Sequence, residues 1–434
     1  MSLSVNPYKQ RGLLPIAGLK IQRHICCGMD VHRDFLIACI ATTDANGVTQ
    51  YMKRRFSTFS GELRKLRDWL KENNCTDVCM ESTGKYWIPV HNILEDSCYV
   101  VVCHPKYVKA LKGKKTDKKD AKWIADLFKF DIVAGSFIPP PDIRQLRDLC
   151  RYWTKLTYCT VSEKARAQNC LTVSNLKLDS VFSNVSGKSA TAIITYMLDH
   201  PGEKFDVKPF VDSRCKTPVD VIQEAVDGSI NYYQANKLRI IREHIDGIEA
   251  LQEKLRKYIL ELASPFQHQI DLLLTAPGIA DPMTAIRIIA EIGIDMSVFE
   301  TSKRCCSWAG LTPQNNESAG KKKTTRIGKA GQYLKPLLVQ CAWAVSRSKK
   351  NPEIKSKYQQ LKKRRGGKKA SVAIARRLLT AYFQMLLKDE VYSPYAAQTN
   401  DTAPARRTLT PEQGLALLRK HGFIIEEKKP AKTA

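Results

Sequence analysis

The sequence predicts an α/β plus α protein. A ribonuclease H-like domain comes first, and a mainly helical remainder carries a helix-hairpin-helix. Two observations predict it. From residue 24 to about 103, three β-prone runs joined by short turns give way to alternating helix and strand, which is the element order of a ribonuclease H-like sheet. Beyond about residue 145 the pattern changes to apolar spacings of three and four. A dinucleotide-binding fold would need Gly-x-Gly-x-x-Gly after the first strand, and the sequence has none.

A polar lead, 1–23, precedes the first strand, ICCGMDV (Ile25 to Val31). FLIACIATT and VTQYMKRRFSTF follow as the second and third strands, separated by Asp44-Ala45-Asn46-Gly47, and Asn-Gly between β-prone runs is a strong hairpin signal. Then come a helical pattern from Ser60 to Asn73, the strand DVCMES, a helix near Trp87 to Glu95 and the strand CYVVVCH. KTDKKDAKWIADLF reads as a helix with Trp123, Ile124 and Leu127 on one stripe. These elements make a domain over 24–145. A helical linker follows over 146–265, in which Ile241, Ile245, Ile248, Leu251, Leu255, Ile259 and Leu262 recur at helical spacing. That stripe reads as a coiled-coil arm in preference to a core-facing helix. A second compact unit spans 266–392. A tail rich in Pro, Thr, Ala and Lys occupies 393–434, with a short helix at EQGLALLRK.

A chain of 434 residues is long enough for two or three domains, and 43% hydrophobic content excludes wholesale disorder. Its net charge of +27 points to a polyanionic partner, nucleic acid above all. Between Thr301 and Glu390 there are 22 Lys and Arg against 4 Asp and Glu, a net of +18, so two-thirds of the excess sits in about a fifth of the chain. Fourteen cysteines contain no Cys-x-x-Cys, so the ligand spacing of a zinc ribbon is missing and reduced, buried thiols are expected. Ser186-Gly187-Lys188-Ser189 mimics the end of a phosphate loop, but Phe182 replaces its first glycine and no strand leads in, so neither zinc nor ATP is expected. No apolar run reaches membrane-spanning length and no signal-peptide core is present, so a soluble, cytoplasmic protein is expected.

Four acids draw attention by position. Asp30 ends the first expected strand, Glu81 ends DVCMES, and Asp117 and Asp120 open a helix. In a ribonuclease H-like sheet such positions converge at one end of the central strands. Carboxylates gathered there repel unless divalent cations neutralise them, and magnesium suits all-oxygen ligation. Two such ions about 4 Å apart can stabilise the entering and leaving oxygens of a phosphoryl transfer. Taken singly, Asp117 could cap its helix and Asp120 could favour the helix dipole. The recurrence of strand-end placement favours metal binding for the set. His32 reads as a loop or strand residue in preference to a ligand.

The second constellation lies near the back of the chain. LLTAPGIADPMTAIRIIAEIG (Leu273 to Gly293) has the shape of a helix-hairpin-helix turning at Pro277-Gly278-Ile279, a device that offers backbone N–H groups to a phosphate. The alternative is a plain helical hairpin in a core. Ser318 stands in a small-residue turn ahead of Lys321, Lys322, Lys323 and Arg326, cations suited to hold a scissile phosphate. Read from these residues alone it is a structural serine in preference to a nucleophile. Gly328-Lys329-Ala330-Gly331 precedes an apolar helix, where bare backbone can approach phosphate. Lys362, Lys363, Arg364, Arg365, Lys368 and Lys369 form a run expected to contact phosphates, with a solvated loop as the bland reading.

Together these blocks resemble the DEDD-type insertion-sequence transposases, which include the pilin-gene invertases and the bridge-RNA-guided recombinases. GMDVHRD, MESTG and KTDKKDA resemble the acidic blocks of the family's RuvC-like domain; PGI with WAGLTP, SAG and IGKAGQYLK resembles its C-terminal transposase domain. The resemblance runs over residues 24 to 392. It implies that Asp30, Glu81, Asp117 and Asp120 bind two magnesium ions and that Ser318 is the nucleophile, forming a phosphoserine link to the cut strand. It further implies donor and target DNA as substrates and a structured bridge RNA as guide. A homo-oligomer, dimer or tetramer on synaptic DNA, would bring the acids of one subunit to the serine of another. A prokaryotic, nucleoid-associated protein is implied. One departure stands out: Ser318-Ala319-Gly320 occurs where the family often has Ser-Gly-Gly, and Ala319 would restrict a backbone that needed positive φ. Two other classes fit parts of the pattern, a RuvC-like nuclease that uses water and a non-catalytic nucleic-acid-binding protein.

Overall fold

The computed structural model describes residues 20–393, apart from 82–83, 106–116, 314–315, 319–320 and 325. Residues 1–19 of the expected lead and the tail with its EQGLALLRK helix lie outside that description, as does most of the loop before KTDKKDA.

Strands β1 (Ile25–Val31), β2 (Phe35–Thr43) and β3 (Thr49–Ser57) form an antiparallel meander, and β4 (Asp77–Glu81) and β5 (Tyr99–Cys103) run parallel to β1. The sheet order is β3-β2-β1-β4-β5. This is the ribonuclease H-like arrangement that the element order predicts. The Asp44 carboxylate holds the first turn by accepting from the N–H groups of Asn46 and Val48. Arg23, assigned to the lead, is instead part of the fold: it pairs with Asp77 and Asp131 and lies over the Phe128 ring.

Strand alternation separates the two faces of this sheet. Cys27, Met29, Val31, Leu36, Ala38, Ile40, Val78, Met80 and Val102 face α1 (Ser60–Glu72) and α2 (Trp87–Leu94), whose Leu63, Leu66, Trp69, Val90 and Leu94 complete a core. The opposite face is built from small side chains, Cys26, Cys39, Ala41, Cys79 and Cys103, and α3 (Asp117–Lys129) lies on it through Ala121, Ile124, Ala125 and Phe128. Gly28 sits at the centre of that contact. A Cβ there would stand 2.3 Å from the Ala125 nitrogen and 2.4 Å from the Ala121 oxygen. Helix backbone and strand backbone therefore touch. The Cys26 thiol donates to the Ala125 carbonyl beside it. All fourteen cysteines are free, and burial pushes the thiols of Cys26 and Cys39 up to about 12 and about 11, which keeps them neutral and unreactive.

Two long helices follow, α4 (Pro141–Val173) and α8 (Tyr232–Ala263). Gln252 bonds to Thr157, Glu249 to Lys164 and His244 to Glu163, so the pair is antiparallel, an arm about 50 Å long at 1.5 Å per residue. At its far end α5 (Leu178–Val181), α6 (Lys188–Asp199) and α7 (Val219–Ala225) pack with the helix ends into a separate core. The expected apolar stripe is interrupted. Ile241, Ile248 and Ile259 are buried, but Leu251 is 56% exposed, because Gln252 takes the inward position and bonds to Trp153 and Thr157 of α4. The boundary expected at 145 falls inside α4, whose Ile143, Leu146 and Cys150 belong to the C-terminal core.

That C-terminal core gathers α9 (Gln267–Leu274), α10 (Pro282–Ile292), α11 (Ser302–Trp308), α12 (Leu334–Arg347), α13 (Pro352–Arg365) and α14 (Gly367–Lys388). Asp281 caps α10 by accepting from the Thr284 N–H. The α4 side chains bind the other end of α10: Arg147 donates to the carbonyls of Ala290 and Glu291, and Arg151 makes a two-pronged pair with the Glu291 carboxylate. A short hairpin, β6 (Asn316–Ser318) and β7 (Lys321–Thr324), projects between α11 and α12. No described helix is long and apolar enough to cross a membrane.

The contact at Gly28 makes a sharp prediction. Gly28→Val should cost about 3 kcal/mol or more, because backbone rather than flexible side chain blocks the new atoms. Gly61→Ala, with nothing within 4 Å, should be neutral or slightly stabilising. Urea unfolding of both variants measures the difference.

Candidate active site

The register of the sheet places the first two acids. Gly28 pairs with Cys79 and Met29 with Met80 on the parallel strands, so Asp30 and Glu81 are the next residues side by side. Adjacent strands stand about 4.8 Å apart. Both residues alternate onto the α3 face. Asp30 is 8% exposed and Glu81 is half-buried. Helix α3 brings the other two. From Cys26 to Gly28 the strand moves from Ala125 towards Ala121, and the same direction continues to Asp30 on β1 and to the first turn of α3. That turn contains Asp117 and Asp120. Asp120 is half-buried, and the Asp117 side chain is outside the described set.

The donors so gathered are carboxylates, the chemistry that a hard divalent cation takes. Among the described residues no three His, Cys, Asp or Glu side chains stand together closely enough to hold an ion unaided. His32, read as a loop or strand residue, follows β1 directly, and its Nε2 is 3.3 Å from the Asp30 carboxylate. Its ring lies 4.7 Å from that of Phe35.

Ser318 is the last residue of β6 and pairs with Lys321 across the hairpin. The sequence suggests a turn there; the serine instead closes a strand. The cause lies at the base of the hairpin, where Pro313 bridges to Ile327 and two chain segments cross. A Cβ on Gly310 would lie 2.5 Å from the Ala330 oxygen, and one on Gly331 would lie 2.1 Å from the Ala309 oxygen. Both glycines have positive φ. The Lys335 ammonium closes the crossing by donating to the carbonyls of Gly328 and Ala330, at 2.8 and 3.0 Å. Sequence reasoning assigned the glycines of GKAG to phosphate approach and passed over Lys335. Its spacing from Gly328 and Ala330, seven and five residues back, was the available signal.

The remaining candidates divide. Arg326, Lys329, Lys362, Lys363, Arg364, Arg365, Lys368 and Lys369 are exposed, and none is in an ion pair among the described residues. The basic run is not a loop. It ends α13 and, after Gly366, begins α14. The side chains of Lys321, Lys322 and Lys323 lie outside the described set, though their backbone forms β7. Gly278 is half-buried, and a Cβ there would meet the Cys341 carbonyl at 2.9 Å, so its α-carbon packs on α12. Tyr382 donates to the carbonyl of the neighbouring Pro277. The turn of the expected helix-hairpin-helix therefore has a packing role in the core.

Loosening the crossing tests what it holds. Lys335→Met removes two charge-assisted bonds, a loss of about 2 kcal/mol. Faster amide exchange in residues 316–324 should follow while α14 stays protected, measured by hydrogen exchange.

Two family models match. One, described as a transposase of the DEDD type, covers residues 27–175; the other, described as transposase of the IS116/IS110/IS902 family, covers residues 270–359. The transposase for insertion sequence element IS1111A from Coxiella burnetii (strain RSA 493 / Nine Mile phase I) is 31% identical over 119 residues, which is 27% of this chain and 32% of that protein. The match thus spans about a third of the relative's length. Among solved structures, the Fowlpox virus resolvase with its substrate Holliday junction DNA overlaps 24% of this chain and 72% of its own, at 18% identity and a TM-score of 0.17. So low a score carries no weight for the fold.

Proposed function

Because the chain belongs to the DEDD-type insertion-sequence transposases of the IS116/IS110/IS902 family, we propose that it cuts and rejoins DNA strands, with Ser318 as nucleophile and Asp30, Glu81, Asp117 and Asp120 as the magnesium-holding acids. The observation that carries this reading is the level placement of Asp30 and Glu81 on one sheet face, at the end where α3 begins with two further aspartates. The row gathers like charge at one end of the sheet. Its repulsion makes sense where cations and phosphate oxygens share the site.

The chemistry is a transesterification. A bond forms between Ser318 Oγ and the scissile phosphorus as the bond to the sugar oxygen breaks, and the serine proton ends on the released sugar hydroxyl. Reversal onto a different strand end rejoins the DNA. Each phosphodiester is exchanged for a phosphoserine, so no nucleotide is needed to restore bond energy. Bound magnesium would supply Lewis-acid stabilisation of the transferring phosphate. Asp30 and Glu81 would hold the magnesium from the sheet, and Asp120 and Asp117 from the helix. The β7 lysines, one of them directly opposite Ser318, offset charge developing on the phosphate.

The basic corner between α13 and α14 binds nucleic-acid backbone on this reading. Lys368 and Lys369 occupy the first turn of α14, where the helix dipole disfavours cations, and no acid stands there to compensate. Phosphate would relieve that arrangement. A structured guide RNA is the second polyanion, supported by the net charge of +27. The arm supports assembly into dimers and tetramers, because Tyr158, Val161, Ile240 and Tyr258 lie exposed along it. In such an assembly the acids of one subunit meet the serine of another.

Ser318→Ala should abolish both strand cleavage and the covalent protein–DNA adduct, with losses on the order of a thousand-fold or more. Asp30→Asn and Glu81→Gln should do the same, as should chelation of magnesium. Cleavage that survives Ser318→Ala would assign the chain to water-using nucleases. Activity unchanged in all three variants would leave a binding protein only. RNase treatment that spares recombination would remove the guide RNA, and a monomer in sedimentation on synaptic DNA would remove the composite site.

A further inference from the structure

The sheet row that contains Asp30 and Glu81 does not stop at β1. Asp30 pairs with Ile37 on β2, and Ile37 pairs with Arg55 on β3. Arg55 therefore lies two strands from Asp30, about 10 Å away. It alternates onto the same face as the acids. Lys53 lies one row further along that face, opposite Cys39 and Gly28.

β3 is an edge strand, and from Met52 to Arg55 every residue is exposed. Among the described residues Lys53, Arg54 and Arg55 form no ion pair. Arg55 is nonetheless held in place. Its guanidinium carbon is 4.1 Å from the centre of the Phe35 ring, Phe35 stacks against His32, and His32 reaches the Asp30 carboxylate. An arginine whose guanidinium carbon lies over a ring can still direct N–H groups to a phosphate. Lys122 of α3 lies over Tyr51, the next residue of β3 on this face, and continues the row of positive charge.

Edge strands often carry charge simply to prevent another strand from adding. Lysine is the usual charge in that role, but protection does not call for an arginine braced on a ring in the row of the acids. Here three adjacent residues share one sign, and two of them share a face with the acids.

We propose that Lys53 and Arg55 form a phosphate-binding track on the edge strand β3, beside α3, that holds one strand of DNA flanking the site at Asp30 and Glu81. The track rests on the reading of those acids as the phosphoryl-transfer centre. Because α3 covers Ile37 and Cys39 of β2, a DNA strand reaches both cations along the exposed edge at β3 and not across the sheet. Arg54, stacked over Phe56 and on the opposite face, lies off that path.

The test uses the full chain and two fluorescein-labelled probes, a DNA duplex of arbitrary sequence and a single-stranded RNA, with binding followed by anisotropy across a salt series. Lys53→Ala with Arg55→Ala should flatten the dependence of log affinity on log salt for DNA by about two and weaken binding about ten-fold at low salt. Arg54→Ala should match the unsubstituted protein. Lys53→Arg with Arg55→Lys should recover the slope, which separates charge from folding. Equal effects of the Arg54 and Lys53/Arg55 variants would overturn the track, as would a change confined to RNA. Loss of cleavage in Asp30→Asn with an unchanged slope in the Lys53/Arg55 variant sinks the track and spares the acids. The reverse pattern sinks the acids and spares the track.

Discussion

The missing side chain at Gly28 is the constraint on which the front of the molecule depends. Helix α3 lies with its backbone against β1, and neither Ala121 nor Ala125 leaves room for a Cβ between them. The layer beneath the helix is correspondingly thin, built from Cys26, Cys39, Cys79 and Cys103 where larger apolar residues fill the other face. Close approach fixes where α3 begins relative to the strand ends. A helix lifted by one side chain would carry the start of α3, with Asp117 and Asp120, away from the level of Asp30 and Glu81.

The C-terminal unit uses the same device for a different end. At Gly310 and Gly331 two segments cross with carbonyl against α-carbon, and Lys335 ties the crossing by bonding to two carbonyls of one of them. What is held there is the base of a hairpin whose far end is Ser318. A two-stranded ribbon is marginal alone in water. Its geometry therefore has to come from its base, and side-chain burial in the hairpin itself contributes little.

How far the sequence could be read follows from which of these effects are local. The sheet, its order and the helix after KTDKKDA were legible because alternation and 3.6 periodicity are written in consecutive residues. The placement of Asp30 and Glu81 at neighbouring strand ends is legible for the same reason, since strand ends locate it. The glycines were not legible in this way. A Gly in GKAG serves a phosphate or a chain crossing equally well until its neighbour in space is known, and Ala309 is more than twenty residues away. The packing of Gly278 is equally hidden in the sequence, because its neighbour is the Cys341 carbonyl. Leu251 fitted the apolar stripe, yet a glutamine beside it took the buried place by finding two acceptors across the arm. Nothing in the local pattern of VTQYMKRRFSTF marks Lys53 and Arg55. Only the three-strand register aligns Arg55 with the acids.

The two kinds of charge in this molecule also limit one another. Asp30 and Glu81 repel a nucleic-acid backbone as they repel each other, so acids at the centre of a sheet face cannot draw a phosphate in by themselves. Cations have to stand near enough to hold the strand, yet not so near that they neutralise the carboxylates as direct partners. Arg55 meets both conditions, two strands away and braced on Phe35. The exposed cations of α13 and α14 offer a second phosphate-binding surface in another unit of the chain. Coulombic interaction across water weakens over about 10 Å at moderate salt. A phosphate is therefore stable beside the acids only when nearby cations hold its strand on both sides. If the acids and cations act as proposed, the site is electrostatically incomplete until a strand is engaged along its length, and cutting would be confined to DNA already held.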